Sequence, residues 1–403
     1  MKNFSLSRFA VVVLIGWLCF CGSACVGGGD GVVGPTPTPS LNGSDWAYYQ
    51  QGNVSSSAYC GYLDSYTMKL TLHYGPGNSS DSDIYLNYSC REDFGDVRFT
   101  EGDGETPLDY WIQKYSPGVN ATVWVEFRGI QDLGAGFYVF HGNLDAESES
   151  NGKNTFMIFN DGSSMDGWLE FEVPPYYFNW QIVSSDFGKA IRCTSVDVGG
   201  WSNLYWNASI GTDSYAAECK IRAEKGLTND NYQQGFSYYT NYPCVKWIDY
   251  RGFDCWQLRD RNGSTLSEPD INFNAAQWHD YSFVKNNNAW KLYVDDELKV
   301  TRNAEPVGQL IGMYANFGAA NRWAEFDDFR VREYCSPEPD FGDWGEPVLL
   351  GELVVWPTPI STGTSQWTAE PTGTATLKTV PGATSTTEAT EVMGVETPAP
   401  MIP

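Results

Sequence analysis

A shortage of positive charge and of histidine narrows the functions open to this chain. Lys and Arg together number 25, against 50 Asp and Glu, and the formal net charge is -25. A field of this sign repels phosphate groups, so the sequence predicts no nucleic-acid partner and no binding to anionic membrane surfaces. The three histidines and the lack of any Cys-x-x-Cys pair also argue against a zinc site.

Long apolar runs are missing as well. Residues 9–20 are apolar and follow Lys2 and Arg8, but the run is too short to span a bilayer stably. Small residues come next, so we predict that residues 1–25 are a signal peptide and that the protein is extracellular or at the cell surface. Cys25 stands where a lipoprotein is cleaved and acylated, although Gly22 occupies a position where Leu is usual. Lipidation of Cys25 and ordinary cleavage nearby both stay open, and a lipid there is the only membrane contact that we expect.

Catalytic motifs are scarce. The sequence has no Gly-x-Ser-x-Gly elbow, no phosphate-binding glycine loop and no His-Glu-x-x-His. The closest approach to a glycoside hydrolase pattern is residues 325–330, in which Arg330 stands where an acid/base carboxylate is required. Glu170 and Glu172 alternate on one strand but have no third partner. We therefore predict no catalytic residue and no enzyme activity, and a divergent glycoside hydrolase is the last alternative.

The residues that are abundant point to β structure. Aromatic residues make up 15% of the chain and Gly numbers 41, in short stretches of Val, Tyr, Phe, Trp and Thr separated by turn formers. Residues 66–75 alternate polar and apolar positions before a Gly-Pro-Gly turn, which predicts a strand with one buried face. Asp103 and Gly104 predict a tight turn. A chain of 403 residues has room for two domains of ordinary size.

Two stretches resemble known families. Residues 93–115, DFGDVRFTEGDGETPLDYWIQKY, together with residues 121–130, 137–143 and 150–162, resemble an uncharacterised domain of archaeal and bacterial surface proteins that is often followed by a concanavalin-A-like jelly roll. Residues 277–300 and 325–334 are similar to the hairpin and closing strand of laminin-G and concanavalin-A-like domains, with Asp295 and Asp296 in the hairpin turn. The second resemblance implies that Trp278, Trp290, Tyr293, Phe329 and Val331 pack in the core.

The expected architecture is all-β, with two β-sandwiches in tandem, the second a concanavalin-A-like jelly roll, and disordered Thr/Pro-rich tails. The boundaries expected along the chain are a signal peptide at 1–25, a Gly/Thr-Pro linker at 26–43, a small β-sandwich at 44–150, the jelly roll at 151–338 and a tail at 339–403.

Seven cysteines follow Cys25, and outside the cell we expect them to be oxidised. Cys60 and Cys90 are alone in the first domain, so they are the simplest pair. Cys244 and Cys255 flank a predicted hairpin and are the second candidate pair. The partners of Cys193, Cys219 and Cys335 stay open, and one of these three must remain unpaired or link two chains. Seven Asn-x-Ser/Thr sequons after the predicted signal peptide make N-glycosylation a further expectation in a secreted protein.

Binding of a polysaccharide or glycoconjugate is the leading hypothesis, because sugar sites in β-sandwiches use exposed aromatic rings beside carboxylates and amides. The candidate ligand residues are Trp201, Tyr205, Trp206 and Tyr242, whereas Trp247 shares a face with Val245 and is expected to point inward. A structural calcium ion is the one cofactor left open, since no loop has a spacing that fixes ligands. The alternative function is structural or adhesive, with other envelope proteins as partners.

Overall fold

The structure is a computed structural model. It describes residues 40–350 except 42–44, 56–59, 132–133, 173–176, 198–199, 225–231, 239–243, 251–252, 261–263 and 304–309. The predicted signal peptide, Cys25, Tyr242 and most of the two predicted tails therefore lie outside the described residues. No helix in the described part of the chain is long and apolar enough to cross a membrane.

The first sandwich begins with seven strands. They are β1 (Tyr48–Ser55), β2 (Leu63–His73), β3 (Asp83–Tyr85), β4 (Arg98–Glu101), β5 (Tyr110–Ser116), β6 (Asn120–Ile130) and β7 (Ala135–His141). Strands β4, β7 and β1 form sheet A, and strands β3, β2, β6 and β5 form sheet B. Apolar residues that alternate along these strands fill the space between the two sheets, among them Leu70, Leu72, Val123, Val125 and Val139, all fully buried.

The second sandwich follows a one-turn helix, α1 (Gly152–Thr155). Its strands are β8 (Ile158–Asn160), β9 (Trp168–Glu172), β10 (Phe178–Ser185), β11 (Gly188–Ser195), β12 (Gly200–Trp206), β13 (Ser214–Ala223), β14 (Tyr232–Tyr238), β15 (Cys244–Tyr250), β16 (Phe253–Arg259), β17 (Thr265–Pro269), β18 (His279–Asn286), β19 (Ala289–Val294), β20 (Glu297–Asn303), β21 (Ile311–Phe317) and β22 (Trp323–Glu333). Sheet C has the order β10, β11, β22, β13, β18, β19, β20, with β8 beside β22. Sheet D has the order β17, β16, β15, β14, β21, β12, β9. The fold is all-β with stacked sandwiches, as the composition predicted.

Large aromatic residues fill the second sandwich. Trp247, Trp256 and Trp290 are at most 2% exposed, and they lie between sheets C and D with Phe283 and Phe329. The inward position predicted for Trp247 is confirmed. Trp290, Phe329 and Val331 are also in this core, as the laminin-G resemblance implied. Trp278 and Tyr293 are not, because they lie on the outer face of sheet C, and their assignment to the core was wrong.

The chain returns to the first sandwich after sheet C is complete. Strands β23 (Asp340–Phe341) and β24 (Val348–Leu349) both pair antiparallel with β1. The sequence assigned these residues to the tail, since two-residue strands have no detectable period. The second sandwich is thus inserted between strands of sheet A, and residues 340–350 are part of the first sandwich.

The cysteines pair differently from both predictions. Cys60 is bonded to Cys335, 275 residues away, and not to Cys90. Cys90 is a buried thiol, and burial raises its pKa to about 12. Cys244 and Cys255 do lie on the two strands of a hairpin, but Cys244 is opposite Arg259 and Cys255 opposite Ile248, so their side chains are four residues out of register. Both remain thiols.

Two turns were predicted correctly from local chemistry. Asp295 and Asp296 connect β19 to β20 with φ of 51° and 63°, the two left-handed residues that a type I′ hairpin requires. Gly104 has φ of 73° in the turn after β4. The carboxylate of Asp103 accepts hydrogen bonds from the backbone N–H groups of Glu105 and Thr106, both at 2.9 Å, so it serves the turn.

Candidate functional site

Two of the four predicted ligand residues are on the outer side of sheet D, and one of them is accessible. Trp201 and Tyr205 are both on β12. Because side chains alternate between the two faces of a strand, both point away from the core. The ring of Trp201 stacks on Phe171 of β9, with centroids 5.7 Å apart, and both rings are half-buried. Tyr205 is fully buried and its hydroxyl accepts a hydrogen bond from Asn203. Trp201 and Phe171 therefore form an accessible aromatic pair on this face.

The other two residues are not part of that surface. Trp206 points to the inner side of sheet D, where its ring meets Trp168 edge-on at 5.2 Å and packs against the core. Alternation along β12 forces this, because Trp206 follows Tyr205 directly. Tyr242 lies outside the described residues. The structure thus brings Trp201 and Tyr205 together and separates Trp206 from them.

Polar side chains occupy the centre of the same face. Ser237 donates a hydrogen bond to Asn203 at 2.9 Å, the Lys246 ammonium lies 3.3 Å from the Tyr314 hydroxyl, and Asn316 donates to that hydroxyl at 3.2 Å. Burial disfavours the charged form of Lys246, yet its interactions with Tyr314 and Cys244 keep its pKa above the ordinary value. Asn316, the cross-strand neighbour of Trp201, is half-buried, whereas Asn203, Ser237, Lys246 and Tyr314 are buried beneath this face.

A cleft lies between the two sandwiches, and no pattern in the sequence indicated it. The outer face of sheet B meets the outer face of sheet C at one end, and beyond that contact the sheets enclose a cleft of about 990 Å³. Lys69, Thr71 and Thr122 line it from sheet B, and Ser282 and Tyr293 line it from sheet C. This volume is at the upper end of the range of roughly 300–1,000 Å³ that ligand sites occupy.

Buried charges close the inner end of this cleft. Glu218 of β13 pairs with two arginines of β22, with 2.7 Å to Arg330 and 3.4 Å to Arg332. Arg332 also pairs with Glu338 at 2.7 Å. Although burial raises the pKa of Glu218, the two arginines outweigh that effect and hold it below its ordinary value. Two carboxylates and two guanidinium groups therefore form a neutral cluster.

Aromatic rings, two of them from the first sandwich, surround one of these arginines. The Arg330 guanidinium lies 4.8 Å from the ring centroid of Trp124 and 5.8 Å from that of Trp111. Phe156 and Phe159, beside α1, complete this cluster, and all four rings are buried. Cation–π contacts in such desolvated places are worth up to about 2 kcal/mol. Arg330 thus ties sheet C to sheet B and fixes one end of the cleft.

The carboxylates of the nearest glycosidase-like pattern are engaged elsewhere. Glu325 is fully buried and accepts hydrogen bonds from Arg192 and Arg222. Asp327 and Asp328 adjoin a β-bulge between β13 and β22, and burial together with the charge of Asp328 raises the pKa of Asp327 to about 8. Among the described residues, no group of three or more His, Cys, Asp or Glu is arranged to hold a metal ion.

Comparison with known proteins gives one family match and several distant structural likenesses. Residues 93–182 match the family model described as Domain of unknown function (DUF2341). This segment begins before β4 of sheet A and continues through β5 and β6 of sheet B, β7 and α1 into β10. It therefore contains Trp111, Trp124, Phe156 and Phe159 and crosses the junction of the sandwiches. No curated protein matches the chain.

Solved structures resemble parts of the chain at low identity. They include the binding domain of Paraclostridial Mosquitocidal Protein 1 (14% identity, 42% of this chain and 50% of that chain, TM-score 0.30), the cellulose induced protein Cip1 (10%, 43% and 96%, TM-score 0.33) and the carbohydrate binding module CBM66 from Bacillus subtilis (15%, 41% and 96%, TM-score 0.29). The match to the first of these spans half of that protein's length. None of them is similar enough to transfer a ligand or an activity to this chain.

Proposed function

We propose that this chain is a non-catalytic glycan-binding protein and that the outer face of sheet D takes the sugar. The observation that carries the proposal is the stacked pair Trp201 and Phe171, half-buried beside the amide of Asn316. An indole face packs against the C–H groups of a pyranose ring, while amides bind its hydroxyls. Both kinds of group are present on one side of one sheet.

We further propose that the protein acts outside the cell, tethered through a lipid on Cys25. The signal-like sequence at residues 1–25 supports export. The bond between Cys60 and Cys335 supports it independently, because structural disulfides persist in oxidising compartments. Mass spectrometry of the protein isolated from membranes tests this, since a diacylglyceryl group on Cys25 is the expected result and an N-terminus without lipid contradicts the anchor.

The glycan proposal is tested with the exported protein on a panel of polysaccharides and oligosaccharides, with calcium and again with chelator. We expect saturable binding that Trp201→Ala weakens by at least about tenfold, which corresponds to about 1.4 kcal/mol. Trp323→Ala is the matched control, because Trp323 is also half-buried but lies on sheet C, stacked on Arg192 at 4.8 Å. Loss of binding with chelator would add a calcium site.

Two results count against the proposal. Equal affinities of the Trp201→Ala variant and the wild-type protein would exclude the sheet D face. No binding across a broad panel would favour the structural or adhesive alternative, in which the sandwiches contact other envelope proteins. Release of reducing ends from any glycan would show that the protein is an enzyme.

A further inference from the structure

Hydroxyl groups face the cleft between the sandwiches. Thr71, Thr122, Ser282, Tyr293 and Tyr334 line this cleft, and all five are half-buried. Hydroxyls can each donate and accept, so they complement a ligand that itself carries many hydroxyls. The first two belong to sheet B and the next two to sheet C, so a ligand between the sheets meets such groups on both sides.

The sheet C wall is a regular row of side chains. Glu218, Ser282 and Tyr293 are direct cross-strand neighbours on β13, β18 and β19, and all three point to the cleft. Trp124 and Lys69 are neighbours in the same way on the sheet B wall. Tyr293 thus presents a ring on one wall, and Lys69, Thr71 and Thr122 present polar groups on the other. That combination of ring faces and hydroxyls is how proteins bind sugars.

The charges of the cleft indicate a neutral ligand. The lining residues include four cations (Lys69, Lys114, Arg330 and Arg332) and six carboxylates (Asp81, Glu218, Asp280, Asp296, Glu338 and Asp340). The buried members Glu218, Arg330 and Arg332 already pair with one another, and Arg332 also pairs with the partly exposed Glu338. No buried charge is left uncompensated, so a charged ligand would find no desolvated counter-ion here.

Peptide ligands fit the cleft less well. An extended peptide binds by adding to an unpaired strand edge, whereas the walls of this cleft are sheet faces whose backbone groups are paired within sheets B and C. An amphipathic helix needs an apolar groove, and most of the lining side chains here are polar or charged. Side-chain hydroxyls and rings are therefore the means of recognition that the cleft offers.

We propose that the cleft binds a neutral oligosaccharide, as a second site separate from the face that carries Trp201; this extension rests on the proposed glycan-binding function. The two walls belong to different sandwiches, and the bond between Cys60 and Cys335 and the Arg330 cluster hold them together before any ligand arrives. Binding therefore carries little cost of ordering the site.

Calorimetric titration of the exported protein with a series of neutral oligosaccharides tests the cleft. Ser282→Trp fills the space between Glu218 and Tyr293. Tyr293→Ala is a second variant, which removes the aromatic ring from the sheet C wall without adding volume. Tyr115→Ala is the matched control for the latter, because Tyr115 is 50% exposed and does not line the cleft. We expect both cleft variants to weaken binding by about tenfold or more at unchanged melting temperature, and Tyr115→Ala to bind like the wild type.

Comparison with Trp201→Ala separates the two proposals. If Ser282→Trp and Tyr293→Ala weaken a binding event that Trp201→Ala leaves intact, the cleft is a glycan site. If Trp201→Ala removes all binding and the folded cleft variants bind as the wild type, the cleft proposal is overturned while the proposed function stands. If the wild-type protein binds none of the glycans, both are overturned.

Discussion

Replacing Arg330 with Met should destabilise the protein, because Arg330 pairs with the buried Glu218 and also packs on Trp124 of the first sandwich. In the folded protein the side chains of Arg330, Glu218 and Arg332 are each at most 8% exposed. Met keeps most of the aliphatic length that packs on Trp124 but removes the guanidinium group. Glu218 is then left with Arg332 at 3.4 Å and the weaker influence of Lys69, and Arg332 is also shared with Glu338, which is 39% exposed. Two carboxylates then share one guanidinium group, so Glu218 is only partly compensated.

The expected cost is about 3–5 kcal/mol in the free energy of unfolding, the usual loss when one partner of a buried ion pair is removed. Urea unfolding at pH 7, followed by circular dichroism, measures it. Arg128→Met is the matched control, because Arg128 is 39% exposed and its pairs with Asp109 and Glu126 are surface pairs worth about 0–1 kcal/mol. The double variant Arg330→Met with Glu218→Gln should recover much of the loss, since it removes the partly compensated charge.

The same variant should respond to pH in the opposite sense to the wild type. The lowered pKa of Glu218 in the wild type contributes stability above its unfolded pKa, and this is lost as the pH falls through the lowered folded value. Without Arg330, burial outweighs the remaining arginine, the pKa rises, and protonation relieves the partly compensated charge. The deficit of the variant should therefore shrink between pH 7 and pH 4. A deficit no larger than that of Arg128→Met, or a double variant no more stable than the single one, would refute this account.

Two further predictions concern a buried carboxyl group and the disulfide. Because burial and Asp328 raise the pKa of Asp327 to about 8, its ionisation should destabilise the fold as the pH rises from about 4 towards 8. Asp327→Asn should therefore raise the melting temperature most at pH 8 and little at pH 4. An equal gain at both pH values would contradict the pKa shift. Reduction of the bond between Cys60 and Cys335 should lower the free energy of unfolding by about 2–5 kcal/mol. Non-reducing peptide mapping should recover these two cysteines in one linked pair. A peptide joining Cys60 to Cys90 would contradict the structure.

Local sequence chemistry predicted the elements well. The hairpin at Asp295 and Asp296 follows from residues that tolerate positive φ, and the inward position of Trp247 follows from its alternation with Val245. These features depend on neighbours within a few residues. Strands of two residues, such as β23 and β24, have no such signal and were missed.

Long-range pairing was not predictable in the same way. Cys90 is the cysteine nearest to Cys60 in sequence, but the return of the chain to β1 brings Cys335 to Cys60 instead. The candidate site shows the same limit. Trp201 and Tyr205 share one face of β12, whereas Trp206 lies on the other face. The strand period alone would have separated them once the extent of β12 was known.

The sequence by itself determined the β class, the turns and the division of each strand into two faces. It did not determine what lies against each face, because a period of two residues separates the sides of a strand without saying which side meets a core, a neighbouring sandwich or solvent. Trp278 and Tyr293 show this most clearly, since both were expected in the core and both lie on the outer face of sheet C. Only the packing of sheet B against sheet C, through Arg330 and Trp124, decided that this face would carry a cleft.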